Sequence, residues 1–151
     1  MIRRVAISAI AAVWLLHQTA CTDPTGTEAL SKSARAKWEA RAPAVYTYIV
    51  SRGCFCPVEA IGPVTVSVRN GVVESLQYTQ TGANVPQQFR SSFPTVEGLF
   101  AQIDSARSKR AARLDVMYDD ILGYPTRIDV DLRTNIADEE YTYVASNLVA
   151  R

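Results

Sequence analysis

Six short segments of this chain have the residue patterns of β-strands, and they occur in two runs of three; most alternate apolar and polar residues, whereas the first suits a strand with both faces partly covered. Alternation with a period of two is typical of β-strands that bury one face. The segments are 44–52, 64–69, 72–78, 114–119, 127–132 and 141–149. Strands that follow one another without a helix between them favour antiparallel pairing, so the chain is expected to form an antiparallel sheet.

A helical pattern precedes each run of strands. In the first pattern, between Glu28 and Arg41, apolar or small residues recur every four positions. The second begins after Thr95, which is a suitable N-cap, and its apolar stripe is Val96, Leu99, Phe100 and Ile103. The order helix, three strands, helix, three strands predicts an α+β fold, with both helices packed on one face of the sheet. The similar halves also suggest a pseudo-repeat of one unit.

Asn70-Gly71 is the strongest turn signal and predicts a hairpin between the second and third strands. A two-residue loop would pair Val68 with Val73. A three-residue loop, residues 69–71, would pair Val68 with Val72, and it would place more apolar residues on one face. Because a slip of one residue moves every side chain to the other face, the sequence favours the three-residue loop.

Residues 1–20 are expected to be a secretory signal peptide. Arg3 and Arg4 precede an uncharged run of twelve residues, Val5 to Leu16, and small residues follow. A transmembrane helix needs about twenty apolar residues, so this run is too short to remain as a membrane span. The segment also contains His17, the single histidine of the chain. The exported protein would therefore lack imidazole for catalysis or metal binding.

Cys21 has two interpretations. Cleavage before this cysteine, followed by lipidation of its thiol, would give a lipoprotein held on a membrane surface; Ala20 suits such a cut, whereas Gln18 departs from the usual aliphatic residue. Alternatively, an ordinary signal peptidase cuts after Cys21 or Thr22. The lipoprotein is the preferred hypothesis, and it places the protein at the cell envelope. Residues 21–27 then form a tether, and residues 28–151 form a single globular domain.

The charge balance argues against a nucleic-acid partner. Cleavage after residue 20 would remove two arginines and no acid, leaving 14 Lys+Arg against 15 Asp+Glu. A protein that binds nucleic acid needs a basic patch to contact phosphates. The basic stretch at residues 105–113 is short and is interpreted as a solvated helix end.

The motifs of the chain together resemble the bacterial family called domain of unknown function 6174. The resemblance runs from Trp38 to about Leu148. It rests on Tyr46-x-Tyr48, Cys54-Phe55-Cys56-Pro57, Val64-x-Val66-x-Val68-x-Asn70-Gly71, Pro94-Thr95-Val96-x-x-Leu99-Phe100, Val116-x-Tyr118-Asp119, Gly123-Tyr124-Pro125-Thr126 and Asp129-x-Asp131. Members of that family are mostly small exported or lipid-anchored proteins, which implies a location and a fold type. It implies no activity.

Cys54 and Cys56 are the candidate site residues for redox chemistry. In an extended strand their Cα atoms would be about 6.6 Å apart, near the upper limit for a disulfide, and the neighbouring Gly53 and Pro57 suggest a bend that shortens this distance. The pair could act in thiol–disulfide exchange, as a local structural disulfide, or as two buried thiols beneath a loop. The structural interpretations are preferred.

No metal site and no cofactor are predicted. Zinc would need four ligands, and two thiolates without histidine do not supply them. Calcium could use the oxygens of the acidic C-terminal third, but no calcium-loop spacing occurs. Ion pairing between strands accounts better for those acids. The candidate calcium ligands are Asp119, Asp120, Asp129, Asp131 and Asp138.

The sequence contains no nucleophile motif, phosphate-binding loop or dinucleotide fingerprint. The leading hypothesis is therefore a non-catalytic domain that binds a protein or another envelope component through an exposed sheet face or through the loop at Cys54. Two alternatives remain open, a thiol–disulfide redox protein that uses Cys54 and Cys56, and an inhibitor of a secreted hydrolase.

Overall fold

The structure, a computed structural model, describes residues 25–136 and 138–151, with the backbone alone for residues 25–27. Helices α1 and α2 span Thr25–Arg41 and Val96–Ser108. Short 3₁₀ helices occupy Val58–Ala60 and Gln87–Ser92. The strands are β1 (Val45–Gly53), β2 (Val64–Arg69), β3 (Val72–Tyr78), β4 (Arg113–Tyr118), β5 (Pro125–Asp131) and β6 (Tyr141–Ala150).

The six strands form one sheet in the order β3-β2-β1-β6-β5-β4, and every neighbouring pair is antiparallel. The predicted α+β fold is confirmed. Each half of the chain forms a helix followed by a three-stranded meander, as the pseudo-repeat hypothesis expected. The two meanders join in the centre of the sheet, where β1 pairs with β6.

One face of the sheet carries the core. Along β1 the alternating residues Tyr46, Tyr48 and Val50 are buried, as the period-two pattern predicts. Full burial of a large apolar side chain stabilises the fold by roughly 1.5–3 kcal/mol. The same core takes in Trp38 from α1 and Phe100 from α2, so both helices lie on this face. The opposite face, which we call the open face, is covered by neither helix.

The hairpin between β2 and β3 corrects the sequence analysis. Asn70 and Gly71 both have positive φ, 51° and 76°, and form a two-residue turn. Val68 therefore pairs with Val73 rather than with Val72, so the three-residue loop was wrong. Such turns are favoured because their twist matches that of the flanking strands.

A bulge restores the apolar pattern in β3. The ladder shifts between Ser67 and Val68, so Glu74 has no opposite residue in the backbone register of β2. Beyond the bulge, Val66 pairs with Leu76, and both are buried. Before the bulge, Val72 is 67% exposed while Val73 packs against the core. The bulge therefore returns the apolar residues of β3 to the core face. The sequence-based prediction had attributed this shift to a three-residue loop.

The start of α1 also differs from the expectation. The helix begins at Thr25 rather than at Glu28, so the last three residues assigned to the tether belong to α1. The predicted signal peptide, residues 1–20, and Cys21 lie outside the described residues. Within the part of the chain that the structure describes, no helix has both the length and the apolar character needed to cross a bilayer.

Candidate functional site

One edge of the molecule gathers the features that the sequence singled out. At this edge β1 ends at Gly53 opposite Thr142, β6 begins beside the end of β5, and β4 begins at Arg113 opposite Asp131. We call it the loop end, because the segment that contains Cys54 and Cys56 leaves the sheet here.

The structure brings Cys54 and Cys56 together in a disulfide. Their Cα atoms are 5.3 Å apart, within the usual range for a disulfide and shorter than an extended strand allows. The backbone N–H of Cys56 donates a hydrogen bond of 3.0 Å to the carbonyl oxygen of Cys54, which closes a tight three-residue turn. The bend expected from the sequence is therefore present. Both cysteines are half-buried, which argues against two buried thiols.

Phe55 occupies the tip of this turn and is 85% exposed. The segment that follows the turn is attached to the end of β1. The backbone N–H of Arg52 donates to the Ile61 carbonyl at 2.7 Å, and Ala60 is buried. A disulfide over a single intervening residue gives Phe55 little freedom to fold back onto the sheet. The loop thus presents an aromatic side chain to solvent from a constrained backbone.

An open depression of about 300 Å³ lies beside the turn. Its lining includes two residues that carry carboxylates, Asp138 and Glu140. The other lining residues are Gly53, Cys54, Phe55, Tyr141 and Thr142. Reactive cysteines sit near cations, which stabilise the thiolate, whereas carboxylates destabilise it. The surroundings of Cys54 therefore do not favour thiol–disulfide exchange.

Two tyrosines and an arginine close the core at the loop end. Tyr141 and Tyr143 meet edge to face with ring centroids 6.0 Å apart, and the Arg52 guanidinium lies 5.8 Å from the Tyr143 ring centroid. Burial raises the pKa of the Tyr143 hydroxyl, and the Arg52 charge offsets part of that rise. Burial in this cluster therefore opposes ionisation of both tyrosines.

The open face contains paired charges. Arg127 contacts Asp129 through two hydrogen bonds, of 2.5 and 2.8 Å, and Thr142 donates to the same carboxylate from β6 at 2.7 Å. The Arg127 hydrogen bond lowers the pKa of Asp129, with a further contribution from Thr142, while partial burial opposes the change. The ion pair runs along β5 rather than between strands, which corrects the expected cross-strand pairing. A second depression of about 220 Å³ adjoins this pair.

The candidate calcium ligands are dispersed or already engaged. Asp119 accepts hydrogen bonds from the backbone N–H groups of Ile121 and Leu122, at 3.0 and 2.7 Å, and so shapes the β4–β5 turn. Asp129 is held by its arginine and threonine. Among the described residues, no three His, Cys, Asp or Glu side chains come together to hold a metal.

A disulfide between Cys54 and Cys56 was one of the possibilities that their spacing left open, whereas Phe55 between them was not singled out. Phe55 was noted only as part of a family motif, and Asp138 only as a candidate calcium ligand; Glu140 was counted simply as an acid. No local pattern marks Phe55 as exposed, because its exposure depends on a bend in a loop without periodicity. Cys21 lies outside the described residues, so its lipidation stays a prediction.

Comparison with known proteins gives one match. Residues 30–150 match the family described as "Family of unknown function (DUF6174)". No curated protein and no solved structure matches the chain. The matched residues include most of α1, all of α2 and all six strands.

Proposed function

Since the chain belongs to DUF6174, whose description assigns no activity, we propose from its own geometry that it is an exported, lipid-anchored and non-catalytic binding domain. Cys21 is the site of the anchor, and the Cys54–Cys56 loop is the contact surface. The observation that carries the proposal is the exposure of Phe55, at 85%, on a turn closed by a disulfide.

The loop is a better contact surface than the open face. Exposed aromatic side chains with restricted backbones are effective anchors, because little conformational entropy is lost when they are buried by a partner. On the open face, Arg127 and Asp129 already satisfy each other, and Arg113 contacts Asp115 at 2.5 Å. A partner on that face would have to disrupt these pairs or leave them buried, which is costly.

The remaining polar groups of the loop end support binding rather than catalysis. Burial raises the pKa of the two tyrosine hydroxyls, and the two carboxylates beside the disulfide disfavour a thiolate. The half-exposed disulfide nevertheless keeps thiol–disulfide exchange as the second candidate function. Titration of free thiols at a fixed glutathione ratio separates the two. A disulfide that stays intact supports the binding domain, and rapid exchange supports the redox protein.

Site-specific crosslinking tests the binding surface. A photoreactive phenylalanine analogue replaces Phe55 in the full-length protein in cells, and in a control it replaces Ile121, which is 69% exposed on the β4–β5 turn. We expect a discrete adduct from position 55 and not from position 121. Equal adducts, or none from either position, would contradict the proposal. An adduct with a hydrolase would identify the inhibitor alternative.

The export and anchoring steps have their own test. The mass of the mature protein, purified from the membrane fraction, should correspond to a chain that begins at Cys21 and carries acyl chains. A full-length chain in the cytosol would refute export. A soluble mature chain without acyl groups would refute the anchor alone.

A further inference from the structure

We infer that the loop end is the membrane-facing end of the domain and that Phe55 inserts into the lipid headgroup region of the bilayer that holds Cys21. This inference rests on the proposed lipid anchor and names the partner of the Cys54–Cys56 loop, a lipid surface. It follows from where α1 begins, from the short distance between Cys21 and α1, and from the side chains exposed there.

Helix α1 begins at the loop end. It runs antiparallel to α2, because Trp38 near its end donates to Glu97 at the start of α2, at 2.9 Å, and Arg35, one turn earlier, contacts Asp104 at 2.6 Å. The start of α1 therefore lies beside the end of α2. From there the chain passes directly into β4, whose first residue, Arg113, is at the loop end.

The chain between the anchor and α1 is short. Four residue steps separate Cys21 from Thr25, the first residue of α1, so these two Cα atoms can be at most about 14 Å apart. Helix α1 itself is about 25 Å long, so its far end, beside Ile121, lies about 25 Å from Thr25. An acylated Cys21 thus holds the loop end, and not the opposite end, next to the lipid.

The side chains exposed at the loop end suit a lipid surface. Phe55 and Val58, at 85% and 72% exposed, stand on the same loop. Lys109 and Arg110 at the end of α2 are exposed and form no ion pair with the described residues. Aromatic and basic side chains are typical of the membrane interface. Asp138 and Glu140 oppose attraction to anionic lipid, so we expect the contact to depend on Phe55 more than on lipid charge.

Exposure alone does not distinguish the two ends, because Ile121 and Val72 at the opposite end are 69% and 67% exposed. The distinction comes from the position of the anchor. Ile121 is therefore a suitable control, because it is also well exposed to water but lies where the anchor keeps lipid away.

Fluorescence quenching in vesicles tests the inference. The mature acylated protein, which begins at Cys21 and so lacks Trp14, is purified as Phe55→Trp or Ile121→Trp and inserted into phosphatidylcholine vesicles with brominated acyl chains. Trp38 is 2% exposed and contributes the same buried background to both. We expect bromine to quench the tryptophan at 55 at least threefold more than the one at 121, and aqueous iodide to show the opposite order. Equal quenching at both positions would overturn the inference.

The possible failures can be told apart. If the mass of the native protein lacks acyl chains, the proposed anchor fails and this inference fails with it. If acyl chains are present and the two variants are quenched equally, the anchor stands and the orientation is wrong. If position 55 is not quenched and the photoreactive analogue there joins a protein, the loop has a protein partner and the lipid contact is rejected.

Discussion

Gly123 shows how one residue sets the position of a helix. It lies in the β4–β5 turn with φ of 79°, and a Cβ built on it would overlap the Ala34 carbonyl oxygen and lie 2.9 Å from the Lys37 Cβ. Lys37 and Arg41 donate to the carbonyl oxygens of Asp120 and Ile121 around it. The turn can therefore pack closely against the backbone of α1 only because this position carries no side chain.

Replacing Gly123 with Ala should lower the free energy of unfolding by about 2–5 kcal/mol. About 1–2 kcal/mol comes from the left-handed backbone and the rest from steric overlap with α1. Gly71→Ala is the control, since Gly71 has a similar φ of 76° and no atom within 4 Å of the added Cβ. Urea unfolding of both variants measures the difference, and equal losses would show that the close approach to α1 contributes nothing.

Asp129 should make stability depend on acid pH. Its lowered pKa means that the carboxylate stabilises the folded state above pH 3.8, the ordinary value, and that this contribution disappears as pH falls below it. Because the pair is only partly buried and remains in contact with solvent, Asp129→Asn should cost no more than about 1 kcal/mol near pH 7. Urea unfolding near pH 7 and near pH 2 should show the two proteins converging in acid. A loss that persists at low pH would assign the effect to packing.

At the scale of elements, α2 begins where the sequence predicts. Thr95 is extended, and its hydroxyl accepts a hydrogen bond of 3.2 Å from the Gly98 N–H. The first turn also holds Glu97, whose carboxylate accepts from Trp38 of α1. By capping the first turn of α2, Thr95 thus also fixes the position of Glu97, which links α2 to α1 through its hydrogen bond with Trp38.

Removing the cap should destabilise the domain moderately. Thr95→Ala is expected to lower the free energy of unfolding by about 1 kcal/mol, because one N–H of the first turn loses its acceptor. Thr95→Ser keeps the hydroxyl and should cost much less. Thermal and urea unfolding of the two variants test this, and equal losses would mean that the Thr95 methyl group, not the hydrogen bond, matters.

The sequence predicted the elements better than their register. Alternation in β1 and the N-cap at Thr95 are local signals, and both held. The β2–β3 pairing failed because the bulge at Glu74 depends on the competition between a favourable Asn70-Gly71 turn and burial of Leu76, which no local pattern resolves. The disulfide was recognisable from spacing. The exposure of Phe55 was not, because it depends on a bend in a loop without periodicity.

At the scale of the whole molecule, the disulfide lies apart from the core. The core occupies one face of the sheet beneath both helices, whereas Cys54 and Cys56 extend past its edge. The bridge also closes a loop of only two residue steps, which restricts the unfolded chain little. Its main effect is to constrain Phe55.

The double variant Cys54→Ser/Cys56→Ser should therefore fold. The chain-entropy relation for so short a loop gives a loss of about 1.5 kcal/mol in the free energy of unfolding. Circular dichroism and urea unfolding measure this, and crosslinking from position 55 in the same background should weaken. Global unfolding of the variant would show that the bridge supports the core. The Cys54–Cys56 loop and the core would then not be independent.

The seam between the two meanders has a consequence for biosynthesis. Tyr46 of β1 pairs with Ala150 of β6, about a hundred residues further along the chain. Strand β1 thus waits for its second neighbour until translation has passed residue 150, and until then the edge of β1 that will pair with β6 remains unpaired. The nascent chain therefore cannot complete its sheet, and stays accessible to chaperones and proteases, until β6 has been made.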